Sequence, residues 1–314
     1  MTPASIQALL TSTLGKLIDR DYVLLDCPYY RNVGDVILWQ AATDLLSTLH
    51  VRCRYASSIE TFMPRRVPKD TIIVLSGGGN FGDLWTKHQE FRHKILHLFP
   101  FHKIVQLPQS VCFENEENLK DDIEHFRKHQ GDITICLRDL ASFNIIKKNY
   151  PFLKAHLLPD LALCCNIKKY CKKKRIAITP GNKSLLLQRN DKERTELSIT
   201  PEFDCISDWP CMQEETLSFQ RYKKILNFLE QRKIKKGYQK IFCDLYWKYI
   251  LKDDILCSGI MFLMPYQSVV STRLHGGILA ALLDKDVTIK DNTYGKCSGV
   301  YHLWMENWPN VKLT

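Results

Sequence analysis

Short, continuous apolar runs alternate with longer amphipathic stretches through the first half of the chain. Tyr22-Val-Leu-Leu25, Ile72-Ile-Val-Leu75, Lys103 to Leu107 and Ile133-Thr-Ile-Cys-Leu137 have the length and solid apolar character of strands buried on both faces. Helical spacing follows them: an opening amphipathic helix within Met1 to Arg20, then helices to about Leu49, from Trp85 to Leu98, from Glu114 to His129 and from Asp139 to Lys148. His156-Leu-Leu158 is a further short strand. Strands separated by helices predict a parallel α/β sheet. The second half repeats this logic. It predicts a strand at Ile176-Ala-Ile-Thr179, a long loop from Gly181 to Pro210 and a helix from Thr216 to Glu230. A strand at Gln267 to Ser271, an apolar helix at Ile278 to Leu283 and a strand at Val287 to Lys290 follow. The expected fold is two Rossmann-like α/β domains with parallel sheets facing a cleft. The expected domains are 1–168 and 169–314, with the last helix packing back on the first domain.

The polar residues gather where these strands end: Asn32 to Asp35, Gly77 to Asp83, Gln109-Ser110, Arg138-Asp139, Arg273 to Gly277 and Asp291 to Lys296. Open α/β sheets bind ligands at the carboxyl ends of their strands, so these turns predict one shared active site. Ser271-Thr-Arg-Leu-His-Gly-Gly277 is the most informative of them. Arg273 and His275 fall where a strand gives way to a helix, and free N–H groups at a helix start attract anions. The guanidinium of Arg273 matches a carboxylate or phosphate in bidentate fashion, and Gly276 and Gly277 clear space for a ligand to approach. Arg138 at its strand end and Lys296 after Asp291 add cations to an anion site. Gly77-Gly-Gly-Asn-Phe-Gly-Asp83 fits neither a dinucleotide fingerprint nor a P-loop. It reads as a turn whose backbone cradles a sugar or phosphate. Asp35 serves either as a helix cap or as a binder of hydroxyls.

Charge and cysteine content refine the picture. The 314 residues carry 44 lysine and arginine against 34 acidic residues, a formal net charge of +10. Lysine clusters lie at Lys168-Lys169, Lys172 to Arg175 and Lys233 to Lys240. Runs of this kind are solvated faces or contacts with anionic lipid; no nucleic-acid motif accompanies them. The twelve cysteines are scattered singly through apolar runs, apart from the adjacent Cys164 and Cys165. They read as reduced, buried thiols. There is no Cys-x-x-Cys pair, and neither a metal nor a cofactor is expected. No run is long enough to span a bilayer and the N-terminus lacks a signal peptide, so the expected location is the cytoplasm, with peripheral contact on the inner membrane face.

As an ordered set, the motifs resemble the polysaccharide pyruvyl transferase family. The matching residues are Asn32-Val-Gly-Asp35 with Ile37, Gly77 to Asp83, Leu107-Pro-Gln-Ser110, Arg138-Asp139 with Ser142, Pro159-Asp-Leu-Ala162, Thr272-Arg-Leu-His-Gly276, and Asp291-Asn-x-Tyr-Gly-Lys296 with Ser298-Gly299. Family members often carry an acidic residue just before the arginine, where this chain has Ser271-Thr272, and Gly-His where it has Gly276-Gly277. The resemblance implies a fold like that of the GT-B glycosyltransferases. It also implies transfer of a pyruvyl group from phosphoenolpyruvate, as co-substrate, to two hydroxyls of a hexose in a lipid-linked polysaccharide precursor. His275 and Arg273 would then be catalytic, and Arg138, Arg273, Leu274, His275, Gly276 and Lys296 would bind the donor. Asn32, Asp35, Gly78, Gly79, Asn80, Asp83 and Gln109 would bind the acceptor. A glycosyltransferase using a nucleotide-sugar donor is the alternative reading, and a non-catalytic carbohydrate-binding or nucleotide-binding protein is a further one.

Overall fold

The computed structural model describes residues 1–190, 202–291 and 295–314, without the side chain of Lys296. Its chain divides into two compact units. One comprises Ala4–Pro28 and Ala42–Leu161; the other comprises Met1–Pro3, Tyr29–Ala41 and Ala162–Thr314.

The strands of the first unit are β1 (Tyr22–Leu25), β2 (Cys53–Ser57), β3 (Ile72–Leu75), β4 (Gly78–Gly82), β5 (Ile104–Cys112), β6 (Ile133–Leu137) and β7 (Lys154–Leu157). Its helices are α1 (Pro3–Leu17), the end of α2 (Val33–Leu46), α3 (Thr86–Leu98), α4 (Glu116–Arg127) and α5 (Leu140–Asn149). The sheet order is β2-β1-β3-β5-β6-β7, with β4 beside β5, and the pairings are parallel. Alternation along the strands sends Val23, Leu25, Ile73, Leu75, Ile135 and Leu137 into a core with Phe91 and Ile95 of α3, Phe126 of α4 and Ile146 of α5. Leu24, Ile72 and Val74 alternate with them and are equally buried, so both faces of the sheet are covered.

Two expectations change here. The segment expected to be a glycine turn is the strand β4, and β5 continues through Pro108 to Cys112. The glycines allow this close pairing: a Cβ on Gly77 would lie 2.5 Å from the Pro108 carbonyl oxygen. At Gly82, whose φ is +118°, it would lie 1.7 Å from that of Cys112.

In the second unit the strands are β8 (Lys183–Leu187), β9 (Cys205–Ser207), β10 (Tyr266–Ser271), β11 (Asp286–Ile289) and β12 (Val311–Leu313). The helices are α6 (Ile167–Lys174), α7 (Pro210–Gln213), α8 (Leu217–Gln231), α9 (Lys236–Tyr246), α10 (Lys252–Leu263), α11 (Leu274–Leu282) and α12 (Lys296–Val300), with a π-helical turn at Trp247–Leu251. This sheet is ordered β12-β11-β10-β8-β9 and is again parallel.

The strand expected at Ile176–Thr179 is absent from this sheet. Asn166 caps α6, accepting from Lys169 N at 2.9 Å, and the helix runs on until Arg175 turns left-handed at φ 58°. Leu185-Leu186-Leu187, buried throughout, form the interior strand between β10 and β9 instead, because a parallel strand covered on both faces rewards unbroken apolar sequence. The expected long loop therefore holds β8 and β9. Of its charged segment read as a lid, Arg189 and Asn190 are described, and 191–194 lie outside the described residues. Lys172 to Lys174 occupy the last turn of α6, where the helix dipole favours cations.

Candidate functional site

Each sheet has one place where consecutive connections leave in opposite directions, and that is where a crevice opens at the strand ends. In the second unit it lies between β8 and β10. Thr272 N donates to Leu187 O at 3.1 Å and Arg189 N donates to Thr272 Oγ1 at 2.9 Å, closing the two strand ends together. Arg273 follows and stands at the N-cap of α11. Its Nε and Nη2 donate to Asp208 Oδ1 and Oδ2 at 2.5 and 2.6 Å, in a buried bidentate pair. Asp208, just past β9, is fixed in turn by Trp209 N at 2.8 Å and Asn190 N at 3.1 Å. This pairing orients the guanidinium at the helix start. Asp208 follows a strand of only three residues, too short to show a period in the sequence; a carboxylate just past it is the one local signal.

His275 lies in the first turn of α11 and is half-buried, whereas Leu274 is buried and offers a ligand only its backbone. The Asn32-Val-Gly-Asp35 segment meets this histidine. A Cβ on Gly34 would sit 3.0 Å from His275 Cβ and 3.2 Å from its Nδ1, so glycine is what lets the ring lie there. Asn32 accepts from Gly34 N at 3.0 Å and donates to Asp35 Oδ2 at 2.6 Å, which fixes the start of α2. Asp35 sits within the first turn of that helix and complements its dipole.

Gly276 and Gly277 have a different task from the one expected. Added Cβ atoms would lie 2.4 Å from Leu187 Cδ2 and 3.0 Å from Ile289 Cγ1, so these glycines seat α11 on the sheet rather than clear space for a ligand. Lys296 opens α12 behind Gly295, and its side chain lies outside the described residues, as do Asn292 and Tyr294. Asp291 Oδ1 accepts from Cys297 N and Ser298 N, which caps α12.

The first unit has its own switch point, between β1 and β3. Asp26 ends β1 with φ 62° and is buried; aspartate tolerates this left-handed backbone better than most residues. His88 Nδ1 lies 2.9 Å from Asp26 Oδ1 and 3.0 Å from Asn80 Nδ2. Asn80 Oδ1 accepts from Gln109 Nε2 at 2.7 Å and from Arg92 Nη2. Arg92, on α3, is fully buried and also bonds Gln106 Oε1 and the Asn80 carbonyl at 3.0 Å. Burial holds its pKa below the usual arginine value, while Asp26 and Asp122 act in the opposite sense. Gln109 Oε1 is buried without a hydrogen-bond partner among the described residues. Of the expected residues, Asn80 and Gln109 thus come together, on backbone supplied by Gly78 and Gly79. Asp26, His88 and Arg92 are additions that no local motif announced.

Asp83 and Arg138 are engaged in structural contacts. Asp83 accepts from Glu114 N at 2.9 Å, Asn115 N at 2.9 Å and Asn118 Nδ2 at 3.2 Å, which anchors the turn into α4. Partial burial would raise its pKa, but these donors outweigh it and hold the carboxyl below the usual range. Arg138 is buried; its Nη1 donates to Asp160 Oδ2 at 2.5 Å and its Nε to Ser110 Oγ at 2.8 Å. Ser110 Oγ in turn donates to Asp139 Oδ2 at 2.6 Å, and Asp139 caps α5 by accepting from Ser142 N at 2.8 Å.

His93 on α3 and Asp121 and His125 on α4 place one ligand atom each within 4.8 Å of one another, a group able to hold a metal. His93 Nε2 is 2.5 Å from Asp122 Oδ1, and the two imidazoles stack 3.9 Å apart. No local motif announces this trio, because its members come from two helices. None of the twelve cysteines is in a disulfide. Burial pushes the Cys136 thiol up to about 12 and that of Cys211 to about 11, too high for a ready thiolate nucleophile.

The polysaccharide pyruvyl transferase family profile matches residues 32–292. EpsO of Bacillus subtilis, a proposed pyruvyl transferase, is 34% identical over 301 residues, covering 93% of this chain and 88% of its own. Pyruvyl transferase 1 of Schizosaccharomyces pombe is 30% identical over 130 residues, 38% of this chain and 32% of that one. In fold, the chain is similar to a crystallised protein of uncharacterised function from Klebsiella pneumoniae, with a TM-score of 0.63 at 19% identity over 98% of both chains. That likeness supports two Rossmann-like units of the kind found in GT-B glycosyltransferases. The ordered motifs, the profile and the similarity to EpsO agree: the chain belongs to the polysaccharide pyruvyl transferase family.

Proposed function

We propose that the protein transfers the pyruvyl group of phosphoenolpyruvate to two hydroxyls of a saccharide, forming a cyclic ketal and releasing phosphate. The acceptor is a hexose carried on a lipid-linked polysaccharide precursor. The observation that carries this reading is the placement of Arg273 and His275 together at the start of α11, at the switch point of a parallel sheet. Phosphoenolpyruvate carries a carboxylate and a phosphate. A helix start with a positioned guanidinium suits such an anion, and Lys296 is assigned to the same task.

The reaction needs a proton delivered to the methylene carbon, which makes C2 electrophilic. A sugar hydroxyl oxygen then bonds to C2 and gives up its proton. The C2–O bond to phosphate breaks, with the electron pair leaving on phosphate. A second hydroxyl bonds to C2, and its proton leaves with the phosphate. His275 is assigned the proton transfers and Arg273 the stabilisation of the departing phosphate. Asn80 and Gln109 are assigned to acceptor hydroxyls, the orphan Gln109 Oε1 being a ready acceptor for a hydroxyl proton.

The test is phosphate release from phosphoenolpyruvate in the presence of saccharide acceptors, with thermal shift as a second readout. Acceptor-dependent release that is lost in His275→Ala supports the assignment. Thermal stabilisation by nucleotide sugars and none by phosphoenolpyruvate would overturn it in favour of glycosyl transfer.

A further inference from the structure

We propose that helices α8 and α9 form a surface that docks on an anionic lipid bilayer. The inference is independent of the pyruvyl-transfer reading, because it rests on this surface alone. α8 is 15 residues long and has no buried residue. Its aromatic residues pack on α9 and on the turn that follows it. The ring of Tyr222 lies against those of Phe242, Tyr246 and Trp247, and Phe219 also meets Trp247.

Other apolar residues of the two helices are not withdrawn from solvent. Leu217 is 71% exposed and Phe228 53% on α8, while Tyr238 is 66% exposed on α9 and Tyr249 62% on the turn after it. Leu217 and Phe228 are eleven residues apart, as are Tyr238 and Tyr249, so each pair marks one stripe of its helical stretch. Globular proteins rarely leave such residues in contiguous exposed stretches without a partner.

The charge on the same segment says what the partner is. From 217 to 240 the chain has eight lysine and arginine residues and one acidic residue, Glu230. Lys233, Lys235 and Lys236 are exposed at the junction of the two helices. Aromatic and aliphatic side chains interleaved with lysines are the composition of helices that lie in a lipid headgroup layer. The apolar groups enter the acyl boundary while the ammonium groups meet anionic headgroups. A second copy of this chain fits poorly, since a two-fold interface would set this positive surface against itself. Among the described residues no helix is long and apolar enough to cross a membrane, so the contact is peripheral.

The experiment is flotation of the purified full chain with vesicles of phosphatidylcholine alone and of phosphatidylcholine mixed with phosphatidylglycerol. Binding to the anionic vesicles, weak binding to the neutral ones and release by salt are expected. Each lysine near an anionic surface contributes roughly fivefold, so K233E/K235E/K236E, which removes three positive charges and adds three negative ones, is expected to lose at least about a hundredfold. F228S/Y238S is expected to lose about tenfold or more. Because these side chains are exposed, both variants keep the wild-type melting temperature. Failure of the wild type to float with anionic vesicles overturns the proposal, as does flotation of the charge variant at wild-type level. A concentration-dependent dimer in sedimentation velocity that F228S/Y238S dissolves also overturns it, by giving the surface to a second copy.

Discussion

The two units use the same sheet geometry and fill its switch point differently. Between β8 and β10 the chain sets one bidentate pair, Arg273 with Asp208, and then a half-buried histidine in the first turn of a helix. Between β1 and β3 it sets a network in which Asp26, His88, Asn80, Arg92, Gln106 and Gln109 share partners. The first arrangement presents charge at a helix start, which suits an anion. The second presents amide and imidazole groups held by a buried guanidinium, which suits hydroxyls. Topology thus locates a crevice in each sheet, and the residues at the strand ends decide its chemistry.

Disrupting the charged switch point is expected to have the largest effect. His275→Ala should lower kcat by about 10²–10⁴, the usual contribution of general acid–base catalysis. Its unfolding free energy should change little, because the ring is half-exposed. Arg273→Ala should lower kcat/KM by at least about a hundredfold and also destabilise the fold by roughly 3–5 kcal/mol, since Asp208 is left buried and unpaired. Steady-state phosphate release combined with urea unfolding would separate the two; equal stability losses in both variants would contradict a buried ion pair at Arg273 beside a half-exposed His275.

In the amide-rich crevice, His88→Ala frees Asn80, which is assigned to acceptor hydroxyls, and should raise KM for the saccharide by about tenfold to a hundredfold, the range of one lost hydrogen bond to a buried polar partner. Stabilisation by phosphoenolpyruvate should survive. If it vanishes instead, the division of tasks between the two switch points is wrong.

Smaller changes probe the packing beneath. Gly276→Ala is expected to destabilise by about 1–3 kcal/mol, because its Cβ must displace the end of Leu187. Gly34→Ala should leave stability nearer to wild type yet reduce turnover by up to about a hundredfold, because it crowds His275. A Gly34→Ala enzyme with normal turnover would show that the histidine's placement against α2 is not needed.

The mildest effect is on pH dependence, and it belongs to the first unit. Burial lowers the pKa of His129 below 6.5, although its hydrogen bond to the His102 carbonyl acts against this. The folded state therefore binds fewer protons there than the unfolded state. Its contribution is complete above pH 6.5 and declines as pH falls below it. His129→Gln should flatten the fall in melting temperature between pH 6.5 and about pH 5. A slope identical to wild type would assign acid sensitivity elsewhere.

Local pattern alone sets the alternation of elements and the chemistry at their ends. β1, β3 and β6 were legible because parallel strands buried on both faces must be continuously apolar. α5 and α8 were legible because Asp139 and Thr216 cap them with their side chains. Arg273 and His275 stood out through their place at a strand-to-helix junction. The rest depends on long-range contacts. β4 and β9 have no strand signature of their own and exist because a neighbour's edge pairs with them. That Gly276 and Gly277 serve helix packing, that Gly34 makes room for His275, and that Asp26 meets His88 across 62 residues are likewise set by tertiary structure. Local propensity depends on neighbours within a few residues, whereas an ion pair or a close approach depends on which strand ends the topology brings side by side.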